Sequence, residues 1–184
     1  VGTVLSVNGF RGLESAFPAT ADVDQWSVLD LVRYRRRISS VYAARFFMAP
    51  FSFNTSRELL VTLETTLRRH DTSLSTVGAL LDAVTYDGVF ARDLVTHAAV
   101  PEHRLTICDY FDYPLQNFNR VFASVRSRLL LEDHALVPAA DGEYDLITCV
   151  NKLEITPRPG PLLRSLYRSA RPGGLLFVSC TNPF

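Results

Sequence analysis

Three polar residues stand where apolar runs end: Asp82 after Val77–Leu81, Asp109 after Leu105–Cys108, and Asn151 after Asp145–Val150. Two carboxylates and an amide at strand ends are residue types that hold a ligand's hydroxyl and amino groups. Ordinary polarity at a sheet edge accounts for them equally well. A second constellation is Arg33-Tyr34-Arg35-Arg36-Arg37. Arginines interleaved with an aromatic ring can track phosphates and stack on bases, but such a run is also what a solvated helix face looks like. Arg120, Arg126 and Arg128 could extend the basic surface. Cys108, Cys149 and Cys180 are odd in number and lack C-x-x-C spacing. Each falls in or at the end of an expected strand, so they read as buried thiols of a reducing compartment. A nucleophilic thiol would need a base that the spacing does not supply. His70, His97, His103 and His134 form no ligand pattern. No catalytic residue and no metal are therefore expected.

The elements that must position these residues alternate from Val77 onward. Strands are expected near 77–82, 104–108, 145–150 and 175–180. Helices should lie between them, one across Val89, Phe90, Leu94 and Val95 and one opened by Pro114. The spacing of Phe118, Val121, Phe122, Val125 and Leu129 extends that second helix. A third strand is poorly marked, with Ala135–Val137 its only candidate. Pro161, Leu162, Leu163, Leu166 and Tyr167 describe a crossover helix, and Arg171-Pro172-Gly173-Gly174 a tight turn into the last strand. Short, continuous apolar strands separated by helices predict a mostly parallel sheet covered on both faces.

Upstream, Thr55-Ser56-Arg57-Glu58 places a hydroxyl three residues before a glutamate. That reciprocal cap predicts a helix over 56–69 with Leu59, Leu60, Leu63 and Leu67 on its apolar face. Pro50 should end the region before it. That region holds an extended arm and an amphipathic helix from about Asp24 to Ala44 that carries the arginine run. The division expected is an N-terminal arm and helical extension over 1–54 and an α/β domain over 55–184.

A chain of 184 residues with 47% hydrophobic content suits one domain with a substantial core. Lys+Arg and Asp+Glu balance at 19 each, which argues against a purely electrostatic nucleic-acid binder. Lys152 is the only lysine. GC-rich codon usage explains that bias, as does a preference for bidentate phosphate or carboxylate contacts. No apolar run approaches the roughly 18 residues of a membrane span. The sequence opens on Val1, so an initiator methionine and any targeting peptide are expected outside it.

The segment over about 40–184 resembles the DREV group of class I (Rossmann-like) methyltransferases, whose members are similar to protein-histidine N-methyltransferases using S-adenosylmethionine. Three stretches carry the resemblance: Ala49-Pro50-Phe51-Ser52-Phe53 followed by Arg57-Glu58-Leu59-Leu60; Tyr144 through Asn151; and Asn182-Pro183-Phe184. The strand, helix, Pro-Gly-Gly and strand from Tyr144 to Ser179 is how such a sheet joins its fourth and fifth strands. The resemblance implies that Asp82 lies near the donor's amino-acid portion and Asp109 at its ribose hydroxyls. It also implies that Asn151 faces the substrate side. A complete sheet of this kind has two further strands. Their absence here implies a continuation, or a partner over the edge of strand five.

One departure governs the expected function. Where the family has a glycine-rich loop, this chain has Asp82-Ala83-Val84-Thr85-Tyr86-Asp87-Gly88, with Val84 and Tyr86 at two glycine positions. A β-branched valine tolerates positive φ poorly, and a tyrosine ring would compete for the donor's volume. The expectation is a degenerate donor site in which Asp82, Gly88, Asp109 and Asn151 are vestigial, with no cofactor bound. The protein would then be a non-catalytic assembly factor in a large intracellular ribonucleoprotein, mitochondrial by preference. Protein partners, or RNA held through Arg33, Arg35, Arg36 and Arg37, would surround it. The alternative is an active S-adenosylmethionine-dependent methyltransferase acting on protein histidine or RNA.

Overall fold

A computed structural model describes residues 49–179, except 86–87, 111, 131–136 and 154–158 and the side chains of 49–55 and 113. Its elements in chain order are α1 (Ala49–Arg69), β1 (Leu80–Ala83), α2 (Val89–Thr96), β2 (Leu105–Asp109), α3 (Asp112–Val121), β3 (Arg126–Leu129), β4 (Tyr144–Val150), α4 (Pro159–Ser169) and β5 (Ala170–Ser179). The five strands form one sheet in the order β3-β2-β1-β4-β5, and every pairing is parallel. The chain winds outward from β1 through β2 to β3, then returns to the other side of β1 for β4 and β5. That reversal puts a topological switch point between β1 and β4. Crevices at the carboxyl ends of strands open at such points.

The central strands are apolar on both faces because helices cover both. Leu80, Leu105, Ile107 and Leu146 join one core cluster with Leu60, Leu63 and Leu67 of α1, Phe90 and Leu94 of α2, and Leu115 and Phe118 of α3. Their strand neighbours Leu81, Cys108, Ile147 and Cys149 belong to the other cluster, with Leu162 and Leu166 of α4. The period-two alternation of a pleated strand divides them. Each fully buried leucine or isoleucine contributes on the order of 1.5–3 kcal/mol.

The parallel sheet with helices on both faces matches expectation, and four strands lie close to their expected places. Four details differ. The helix opened near Pro114 stops at Val121 instead of reaching Leu129, and Val121 is 73% exposed. The third strand is Arg126–Leu129. It borders the sheet with one neighbour, β2, and is largely exposed, so burial never required an apolar run there. Val137, from the segment expected to hold that strand, is buried outside any strand. Helix α1 begins at Ala49, well before the Thr55–Glu58 cap. Pro50 opens it instead of ending the previous region, since a first-turn residue needs no N–H. Finally, the Pro-Gly-Gly turn is a bulge inside β5: Tyr144 pairs with Ala170 and Leu146 with Leu175, so the residues between them loop out of register. The helix expected at Asp24–Ala44, the proposed boundary's first 48 residues and Asn182-Pro183-Phe184 lie outside the described residues.

Candidate functional site

The tips of β1, β2 and β4 bring Asp82, Asp109 and Asn151 to the carboxyl edge of the sheet. Between β1 and α2 the chain must turn sharply, and it does so through left-handed backbone at both ends of the loop. Gly88, at φ 71°, caps the start of α2 with no side-chain cap bond. A Cβ there would sit 2.8 Å from Cδ2 of Phe118, so the glycine admits both the turn and the packing of α3. Val84 holds φ 56°, a conformation that costs a β-branched residue about 1–3 kcal/mol.

The valine does adopt the turn that was expected to exclude it. Its side chain is 1% exposed and packs in the cluster with Cys108, Tyr110, Leu130 and Val137. Burying it returns roughly the strain it carries. The side chain therefore belongs to the core. Tyr86, the other replaced glycine position, lies outside the described residues.

Asp82 is 3% exposed, and two threonine hydroxyls bond it. The Thr148 hydroxyl of β4 donates to its Oδ1 at 2.8 Å, and the Thr85 hydroxyl donates to its backbone carbonyl at 3.0 Å. The Thr85 amide in turn donates to the Cys108 carbonyl at 2.9 Å, tying the loop to β2. Asp109 is fully buried at the end of β2, and its carbonyl accepts the Leu130 amide at 2.8 Å. Burial pushes the Cys108 thiol well up, and the nearby Asp109 and Asp82 carboxylates add to that against an amide bond from Val84. Cys108 and Cys149 are buried, as expected, and form no disulfide; Cys180 lies outside the described residues.

Asn151 caps β4 at φ 52°. Its amide N–H reaches the Ser179 carbonyl at 2.9 Å and the Ser179 hydroxyl at 3.0 Å. That hydroxyl donates to Asn151 Oδ1 at 2.9 Å. Thus the fold gathers Asp82, Gly88, Asp109 and Asn151 at one edge. Arg33, Arg35, Arg36 and Arg37 lie outside the described residues. Arg126 and Arg128 do not extend a free basic surface: both face Glu143, Arg128 through two bonds of 2.6 and 3.0 Å. Desolvation raises the Glu143 carboxyl, but Arg128, the Ala140 amide and Arg126 outweigh it and hold it below the ordinary range. Sequence reasoning missed Thr148, Thr85 and Ser179. A threonine inside the apolar run Leu146–Val150 was the one available signal.

Two acidic strand ends beside a left-handed turn fit a ligand with ammonium and hydroxyl groups. Residues 81–178 match the methyltransferase domain family. The chain belongs to this family. Curated relatives include ubiquinone biosynthesis O-methyltransferases from Marinobacter nauticus, 38% identical over 52 residues (28% of this chain, 22% of that protein), and from Pseudomonas savastanoi, 42% identical over 40 residues (22% and 17%). The matched stretch thus spans about a fifth of these relatives' length. Among solved structures, a Thermotoga maritima S-adenosylmethionine-dependent enzyme described as a possible histamine N-methyltransferase superposes with TM-score 0.56 at 16% identity, covering 79% of this chain and 59% of that one. A Haloferax volcanii candidate methyltransferase, solved with a methyltransferase activator, gives 0.58 at 16%, covering 76% and 57%. These likenesses establish the class I methyltransferase fold.

Proposed function

We propose that the chain is the donor-binding part of an active S-adenosylmethionine-dependent methyltransferase. The observation that carries this reading is Val84: the backbone keeps the left-handed turn while the side chain is buried in the core. Of the two substitutions that argued for a degenerate site, the one at position 84 thus leaves the turn intact. Asp82 would hold the loop around the donor's amino-acid end, and Asp109 would bond its ribose hydroxyls. Asp109 has no exposed surface, so a bound donor has to displace what covers it. When bound, the donor supplies an electrophilic methyl group. The chain's own residues bind and orient it, and Asn151 stands at the tip of β4 on the acceptor side.

The curated relatives favour an oxygen acceptor on a small molecule. The finer DREV assignment, with protein histidine as acceptor, rests among the described residues on Arg57-Glu58-Leu59-Leu60 and on the stretch Tyr144 through Asn151. A non-catalytic role in a mitochondrial ribonucleoprotein draws no support from the described residues, because its arginines lie outside them. Calorimetric titration with S-adenosylhomocysteine tests the reading. We expect a micromolar isotherm; no heat of binding at millimolar ligand would overturn it. Methyl transfer to a catechol and to a histidine-containing peptide then distinguishes the two acceptors.

A further inference from the structure

We infer that Thr148 is a positioning residue for the donor site, acting through Asp82. This role rests on the reading above. The two residues are register partners across β1 and β4, at the topological switch point. Thr148 is fully buried, and its hydroxyl has a single proton with two acceptors in reach. The Leu81 carbonyl lies at 3.4 Å and Asp82 Oδ1 at 2.8 Å. The shorter bond goes to the charged group, as it should in a dry interior. A β-branched side chain in a strand has little χ1 freedom, so the hydroxyl cannot swing away.

The consequence is a fixed carboxylate. Oδ1 is assigned to β4, while Thr85 fixes the backbone of the same residue from the loop side. This matters more here than in a glycine-rich loop. Only Gly88 remains of the three glycine positions, and Val84 anchors the turn by its contacts in the core. The orientation of the acid is then set from β4, the neighbouring strand, by a hydrogen bond that favours its ionised form.

The test is S-adenosylhomocysteine titration of the chain with Thr148→Val, Thr148→Ser and Asp82→Asn, each with its thermal midpoint. Thr148→Val keeps shape and removes only the hydroxyl. It should weaken binding about tenfold, because Asp82 loses the bond that orients it. Thr148→Ser should restore it. On the Asp82→Asn background, Thr148→Val should cost nothing further, since the two act as one unit. Unchanged affinity in Thr148→Val, or losses that add in the double variant, would overturn the role. A lowered midpoint with wild-type affinity would mark Thr148 as a structural residue only. If Thr148→Val does not fold, Thr148→Ala carries the same comparison. Absence of binding by the unsubstituted chain would instead remove the proposed function, and this role with it.

Discussion

The two edges of the sheet handle tight geometry in opposite ways. At the amino edge Asp145 works as a clasp: its carboxylate accepts the Ala79 amide at 2.7 Å and pairs with Arg171 at 2.7 Å. Glycines fill the close approaches there. A Cβ on Gly78 would lie 2.8 Å from Asp145 Oδ2, and one on Gly174 only 2.9–3.1 Å from three carbonyl oxygens. Asp71 and Ala99 take positive φ at this edge, but they are exposed residues just past helix ends, where the left-handed turn is an ordinary stop. At the carboxyl edge the positive-φ residues are Val84, which is buried, and Asn151, which is partly buried, both held by the packing or hydrogen bonds around them. Strain that surrounding structure over-determines tends to collect at functional sites. Here the carboxyl edge carries it at the strand tips, while the amino edge carries it at exposed residues past helix ends.

Substitutions at each edge can break or sharpen this contrast. The largest effect is expected at the amino edge. Gly174→Ala and Asp145→Ala should each lower unfolding free energy by about 2–3 kcal/mol, through a clash with backbone oxygens and an orphaned Ala79 amide respectively. Urea denaturation measures this, and S-adenosylhomocysteine affinity should stay within twofold. A large loss of affinity would show that the amino edge is not merely structural.

At the carboxyl edge, Val84→Ala should cost about 2 kcal/mol, because it loses buried methyls and keeps most of the left-handed penalty. Val84→Gly loses the same packing but relieves the backbone, so it should cost only about 1 kcal/mol. If glycine proves the worse replacement, Val84 is not strained and the contrast between edges fails.

Glu143→Gln should have the smallest effect, about 1 kcal/mol at neutral pH. The native carboxyl lies below its ordinary value of 4.5, so its contribution is fully present above that pH and disappears as acid carries the folded form through its lowered pKa. The difference between variant and parent should therefore shrink below about pH 4.5. A constant difference across the acid range would deny the ion pair its role.

Much of this architecture is legible in the residues. Leu105–Cys108 and Leu146–Val150 are continuous apolar runs because both faces of a central parallel strand are buried, and period and length then identify them. The crossover helix from Pro159 follows from its leucine spacing. The edge strand Arg126–Leu129 was hidden because one neighbour and an exposed outer side demand no apolar pattern, and the helical spacing of Val121 to Leu129 ran straight through it. The start of α1 was hidden as well. A cap motif says where a helix can begin, and not that the preceding turn will decline to join it; Ser56 instead donates to the buried Asp93 at 2.7 Å.

For the site, the sequence by itself determined which polar residues end the strands, because strand ends follow from local pattern. It also determined that the loop had exchanged glycines for Val84 and Tyr86. What that exchange means for Val84 was decided by tertiary structure alone. Whether a side chain at positive φ enters the ligand's space or the core depends on what packs beneath the turn. Here the valine joins the buried cluster that holds Cys108, Tyr110 and Leu130. The bond from Thr148 to Asp82 likewise joins residues 66 positions apart, and only the register of β4 against β1 brings them within reach.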